Sequence, residues 1–121
     1  MVKRVLLVDD HAIFTQAMKL VIGKVEGMTV VGSAGSLAAG RKLLFAEDTE
    51  GVDLVVMDLM LPDGNGAELI SEIKSRRPDL PVVVLSADSN LDRAVEAGAD
   101  GAINKSRPLP EIVEALQRIA G

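Results

Sequence analysis

Two hydrophobic rhythms alternate along this chain. Val5-Leu6-Leu7-Val8, Val52 to Met57 and Pro81-Val82-Val83-Val84-Leu85 are short, nearly unbroken apolar runs, the pattern of strands buried on both faces. Between and beyond them, apolar residues recur at helical spacing. Ile13, Phe14, Ala17, Met18, Val21 and Ile22 predict a first helix, and Leu37, Leu43, Leu44 and Phe45 a second. Leu69, Ile70 and Ile73 predict a third, Leu91, Ala94 and Val95 a short fourth, and Ile112, Val113, Leu116 and Ile119 a fifth. Met28 to Gly32 and Gly101 to Asn104 read as two further strands. The punctuation agrees with this division. Gly27, Gly51, Pro78 and Gly98 fall between elements, Ser36 is placed to cap the second helix, and Asn65 with Glu68 forms a capping-box pattern for the third. Pro110 suits the first turn of the last helix.

Five rounds of strand then helix, joined by short connections with right-handed crossovers, predict an α/β fold: an open parallel sheet covered on both sides. In such sheets ligands sit beyond the carboxyl ends of the strands. Asp9 and Asp10 follow the first strand, Asp58 ends the third, Ser86 the fourth and Lys105 the fifth. Each has an ordinary alternative: the aspartates as caps or turn formers, Ser86 as an N-cap, Lys105 as a solvated side chain. Chance does not readily place all of them at the same edge of one sheet. Two carboxylates about 4 Å apart repel by about 4 kcal/mol at an effective dielectric of 20, so a cluster of three raises its own pKa values or recruits a cation. Hard oxygen donors favour Mg²⁺. A carboxylate can attack a phosphoryl group to give an acyl phosphate, while a metal, a lysine and a hydroxyl stabilise the phosphoryl oxygens.

Composition narrows the remaining classes. The 121 residues fit one domain, 1–121, and 48% apolar with 26% charged residues is ordinary for a folded chain. There is no cysteine, which excludes disulfides, thiolate metal sites and Cys nucleophiles. The net charge of −5, with Phe14 and Phe45 as the sole aromatics, argues against nucleic-acid binding through this domain. No apolar run is long enough for a signal peptide or a membrane span, so a cytoplasmic location and no membrane contact are expected. The Gly64-Asn65-Gly66 stretch is a turn and lacks the full dinucleotide-binding fingerprint. His11, the sole histidine, reads as a surface residue beside the site.

Val8-Asp9-Asp10-His11, Met57-Asp58-Leu59-Met60-Leu61-Pro62-Asp63-Gly64, Leu85-Ser86-Ala87 and Gly98-Ala99-Asp100-Gly101 before Lys105 resemble a bacterial response-regulator receiver domain over essentially the whole chain. The resemblance implies a flavodoxin-like three-layer sandwich with strand order 2-1-3-4-5 and five helices. It implies phosphotransfer from a sensor histidine kinase to Asp58. Asp10 and Asp58 would be direct Mg²⁺ ligands, with Asp9 acting largely through water and the Met60 carbonyl completing the protein's share. Ser86 would be the switch hydroxyl, and Lys105 would pair with the phosphoryl group. The Asp-Asp-His start and the Gly98-Ala99-Asp100-Gly101 run resemble the subfamily with a C-terminal helix-turn-helix output domain. That implies control of transcription through a DNA-binding domain outside these 121 residues, with a stand-alone receiver as the alternative; a homodimer through the first and last helices belongs to the same expectation. Two positions depart from the family pattern: Ser106 follows Lys105 where proline is frequent, and Ala102 stands where an aromatic is usual. Met60 and Asp88 occupy positions expected to modulate acyl-phosphate hydrolysis. A Mg²⁺-dependent aspartyl phosphatase is the enzymatic alternative, but Met60 replaces the acid/base carboxylate that such enzymes carry two residues after the nucleophile.

Overall fold

The computed structural model describes residues 2–45, 51–86 and 98–120. Strands β1 (Lys3–Val8), β2 (Met28–Ala34), β3 (Leu54–Asp58), β4 (Val82–Ser86) and β5 (Gly101–Asn104) form one parallel sheet in the order β2-β1-β3-β4-β5. Helices α1 (Ala12–Gly23), α2 (Leu37–Phe45), α3 (Gly66–Arg76) and α4 (Leu109–Ala120) flank it. The strand order is the flavodoxin-like one expected. The short helix expected around Leu91, Ala94 and Val95 lies outside the described residues, so the C-terminal helix is α4 here.

Side-chain alternation along the strands builds two cores. Val5 and Leu7 of β1, Leu54 and Val56 of β3, Val83 and Leu85 of β4 and Ile103 of β5 pack with Met18, Ile22, Ile112 and Leu116 of α1 and α4. Leu6 and Val8, Val55 and Met57, Val82 and Val84 pack on the other face with Leu44, Leu69, Ile70 and Ile73 of α2 and α3. The central strands β3 and β4 are buried at every position, which is why their sequences show no polar alternation.

Two strand boundaries and one helix face differ notably from the sequence reading. β2 continues through Ser33 and Ala34 because its pairing with Leu7 and Val8 continues, although the apolar pattern stops at Gly32. As an edge strand β2 needs no unbroken apolar run. Val52 and Asp53 precede β3; Asp53 instead exchanges hydrogen bonds with Arg4, accepting from its backbone N–H at 2.8 Å and donating its own to its carbonyl. The stripe on α1 is narrower than its sequence: Thr15, Met18 and Ile22 are buried, whereas Ile13 is 87% exposed. No helix among the described residues is long and apolar enough to cross a membrane.

Candidate functional site

The alternation that fills the α1/α4 core also builds the site. Val5 and Leu7 face that side, and two positions on comes Asp9; Leu54 and Val56 lead to Asp58, and Ile103 leads to Lys105. Three strands that are neighbours or next neighbours thus deliver two carboxylates and an ammonium to the same side of the sheet, at its carboxyl edge. By the same count Ser86 belongs with Val82 and Val84, toward α3.

Lys105 is the hub. Its Nζ lies 2.7 Å from Asp9 Oδ2 and 3.1 Å from Asp58 Oδ2, and the aromatic face of Phe14 on α1 backs it at 4.5 Å. Its side chain is 9% exposed and that of Asp58 is 4% exposed, so this pair is desolvated and weakly screened. Asp58 Oδ1 accepts a hydrogen bond from the Met60 N–H at 3.1 Å, which sets the carboxylate's rotation. Asp9 Oδ1 accepts from the His11 N–H at 2.8 Å, an Asx-type turn that starts α1. Asp9 therefore fills the turn-forming role and faces the cluster as well.

The His11 imidazole turns into the site. Its Nδ1 lies 2.8 Å from Lys105 Nζ, 2.9 Å from Asp9 Oδ1, 3.4 Å from Asp10 Oδ1 and 3.6 Å from Asp58 Oδ2. A single Nδ1 either accepts from the ammonium or donates to a carboxylate, so these contacts exclude one another as hydrogen bonds. His11 is the surface residue beside the site that the sequence suggests, with its side chain 61% exposed; its contact with the Lys105 ammonium is what the sequence does not show.

The loop after β3 forms the opposite rim. Met60–Leu61 and Gly64–Asn65 make a two-residue antiparallel ladder, and the Gly66 N–H donates to the Leu59 carbonyl at 2.7 Å. A Cβ on Gly66 would stand 2.7 Å from the Asp58 carbonyl oxygen, so only glycine lets α3 start this close to the site. Asn65 caps α3 by accepting from the Ala67 N–H, as its sequence position suggested. Ser36 likewise accepts from the Ala39 N–H at 3.1 Å. The sequence does not show that Asp63 reaches across to accept from the Leu37 and Ala38 N–H groups at 2.7 and 3.0 Å. These donors hold the Asp63 carboxyl below the usual carboxylate range.

Of the sequence-predicted residues, Asp9, Asp10, Asp58 and Lys105 meet at this edge, and Met60 sits on the rim with 69% of its surface exposed. Ser86 is buried at the last position of β4, and its carbonyl accepts from the Lys105 N–H at 2.9 Å. Asp88 lies outside the described residues. After Lys105, the Asn104 side chain accepts from both the N–H and the hydroxyl of Ser106.

The donor set suits a cation. One ligand atom from each of Asp9, Asp10, His11 and Asp58 falls within 4.8 Å of the others. Asp9 Oδ2 meets Lys105 as an ion pair without the alignment of a hydrogen bond, leaving a buried carboxylate oxygen with unused acceptor capacity. Three carboxylates fit a hard divalent ion.

A doubly wound α/β sheet with an acidic cluster and a lysine at its carboxyl edge defines a class of phosphoryl-handling proteins, and comparison with known proteins places the chain within it. The response regulator receiver domain family matches residues 5–117, and this chain belongs to that family. It is 36% identical over 119 residues to the DNA-binding transcriptional activator DevR/DosR of Mycobacterium tuberculosis, covering 96% of this chain and 54% of that protein. It is 31% identical over 118 residues to the response regulator protein VraR of Staphylococcus epidermidis, covering 95% of this chain and 55% of that one. The chain thus spans about half the length of the curated relatives it matches. Among solved structures, a LuxR-family two-component response regulator from Aurantimonas superposes with a TM-score of 0.88 at 29% identity, over 99% of this chain and 86% of that one. The signal receiver domain of the putative response regulator NarL from Mycobacterium tuberculosis gives 0.88 at 26% identity, over 98% and 96%.

Proposed function

We propose that this domain is the phosphoacceptor switch of a two-component system, with Asp58 receiving a phosphoryl group from the phosphohistidine of a sensor histidine kinase. The observation that carries the reading is the position of Asp58: buried at the end of a central strand, 3.1 Å from the Lys105 ammonium and beside the Asp9-Asp10-His11 cluster. Mg²⁺ held by Asp9, Asp10, Asp58 and the Met60 backbone carbonyl would neutralise the phosphoryl oxygens. Asp58 supplies the attacking carboxylate oxygen. A P–O bond forms as the phosphohistidine P–N bond breaks, and the imidazole leaves with the electron pair. Lys105 leaves its carboxylate partners to pair with the phosphoryl oxygens, and Ser86 hydrogen-bonds one of them as the switch.

The domain works as a switch modified once rather than as a turnover enzyme. It resides in the cytoplasm, where its kinase donors act. The names of its relatives support an output in transcription through a DNA-binding domain outside this chain. Ile13, exposed on α1, lines an apolar surface with Phe14, Ala17 and Leu109 beside His11 and Lys105, which supports docking of a kinase or a second copy of the chain there.

The test is reaction with acetyl phosphate, with and without Mg²⁺, followed by intact-mass analysis. One phosphoryl group should add to wild type only with the metal present and none to Asp58→Asn. Equal labelling of that variant overturns the assignment, and sustained hydrolysis of phosphate esters would point to a phosphatase instead.

A further inference from the structure

Among the described residues, two buried side-chain oxygens make no aligned hydrogen bond: Thr15 Oγ1, and Asp9 Oδ2, which meets only the Lys105 ammonium as an ion pair at 2.7 Å. They belong to one place. Asp9 and Thr15 both line a cavity of about 10 Å³ beneath the carboxylate cluster, with Asp58 on its wall and Leu7, Met18, Val56 and Leu85 as part of its apolar lining. Thr15 is 8% exposed and sits one turn into α1, directed into the core with Met18 and Ile22. A helical threonine normally satisfies its hydroxyl on the carbonyl one turn back. The His11 carbonyl accepts the Thr15 backbone N–H at 3.0 Å but receives no hydrogen bond from the hydroxyl, which faces the cavity instead.

We infer that this cavity is a site for one structural water, and that Thr15 positions Asp9 for metal binding through it. A water needs about this much space and two to four polar partners. The Thr15 hydroxyl donates to the water oxygen, and the water donates one proton to Asp9 Oδ2. Asp58 lines the same cavity and offers a carboxylate to the second. Asp9 Oδ1 is already held by the His11 N–H. With Oδ2 held from below, the carboxylate is fixed at both oxygens and cannot rotate as the Lys105 ammonium moves away. The chain Thr15–water–Asp9 is then an outer-shell support of the kind that orients metal ligands.

The positioning role rests on the Mg²⁺ reading above; the water does not. The experiment combines water-to-protein NOE measurement on wild type with calorimetric titration of Mg²⁺ alone into wild type, Thr15→Val and Thr15→Ser. The expected result is a long-lived water cross-peak at Thr15 and a Mg²⁺ Kd raised about tenfold in Thr15→Val, the lower end for outer-shell partners. Thr15→Ser, which keeps the hydroxyl, stays within about twofold of wild type. A dry cavity with an unpaired hydroxyl predicts the reverse: no cross-peak, a higher Tm for Thr15→Val and an unchanged Kd. The missing cross-peak overturns the water, and an unchanged Kd in Thr15→Val overturns the positioning role. If wild type itself binds no Mg²⁺, the functional reading falls and takes the positioning role with it.

Discussion

Asp63 Oδ1 accepts the Leu37 N–H at 2.7 Å, so a residue of the loop after β3 caps a helix that begins 26 positions earlier. Removing it leaves the first N–H groups of α2 to water and frees the rim loop that carries Met60. Asp63→Ala is expected to lower thermal stability at neutral pH. Because the folded carboxyl titrates below its ordinary value, the stabilisation is fully present above about pH 3.9 and is lost as pH falls through the depressed value. Melting curves from neutral to acid pH should show wild type and variant converging at the acid end. A constant gap at all pH values would mean that the charge is not what matters.

Lys105 neutralises the carboxylates that a metal would also neutralise. Lys105→Ala should therefore bind Mg²⁺ about tenfold more tightly, equivalent to about 1.4 kcal/mol. The same variant should take up phosphoryl groups from acetyl phosphate more slowly, because the oxygens lose their cation. Calorimetry and intact-mass time courses separate the two effects, and weaker Mg²⁺ binding would contradict the competition.

Met60 is exposed on the rim and offers no polar side-chain atom to orient an attacking water. Met60→Asn should shorten the acyl-phosphate lifetime several-fold, followed by loss of the phosphorylated mass with time. If Asp88 orients the water instead, Met60→Asn decays like wild type and Asp88→Ala decays more slowly.

Two glycine substitutions should differ in sign. Gly66→Ala sets a Cβ against the Asp58 carbonyl and the Leu59 Cα, backbone atoms that cannot move aside, and should cost about 1–3 kcal/mol in urea unfolding. Gly23→Ala meets nothing within 4 Å at the end of α1 and should gain about 0.4–1 kcal/mol. Equal effects would show that the close approach at Gly66 is relaxed in solution.

Much of this protein is legible without coordinates, because its determinants are local. A strand buried on both faces is recognisable from Val82-Val83-Val84-Leu85, and the residue after such a run lies at the sheet's carboxyl edge whatever the packing. The element order then decides the sheet topology, and the ends of β1, β3, β4 and β5 locate the acids, the serine and the lysine. The tertiary structure decides matters that depend on which face of an element finds a partner. Ile13 continues the α1 stripe in sequence but lies beyond the arc that α4 and the sheet cover, so it remains in solvent. Thr15 breaks that stripe and is buried nonetheless, bringing its hydroxyl beneath Asp9. His11 has no cap to make and turns toward the carboxylates, and Asp63 finds its donors on α2 instead of in its own turn. Each of these contacts joins groups from separate packed elements or sets a side chain against a packed face. Periodicity carries no record of either; only the spacing of elements across the sheet does.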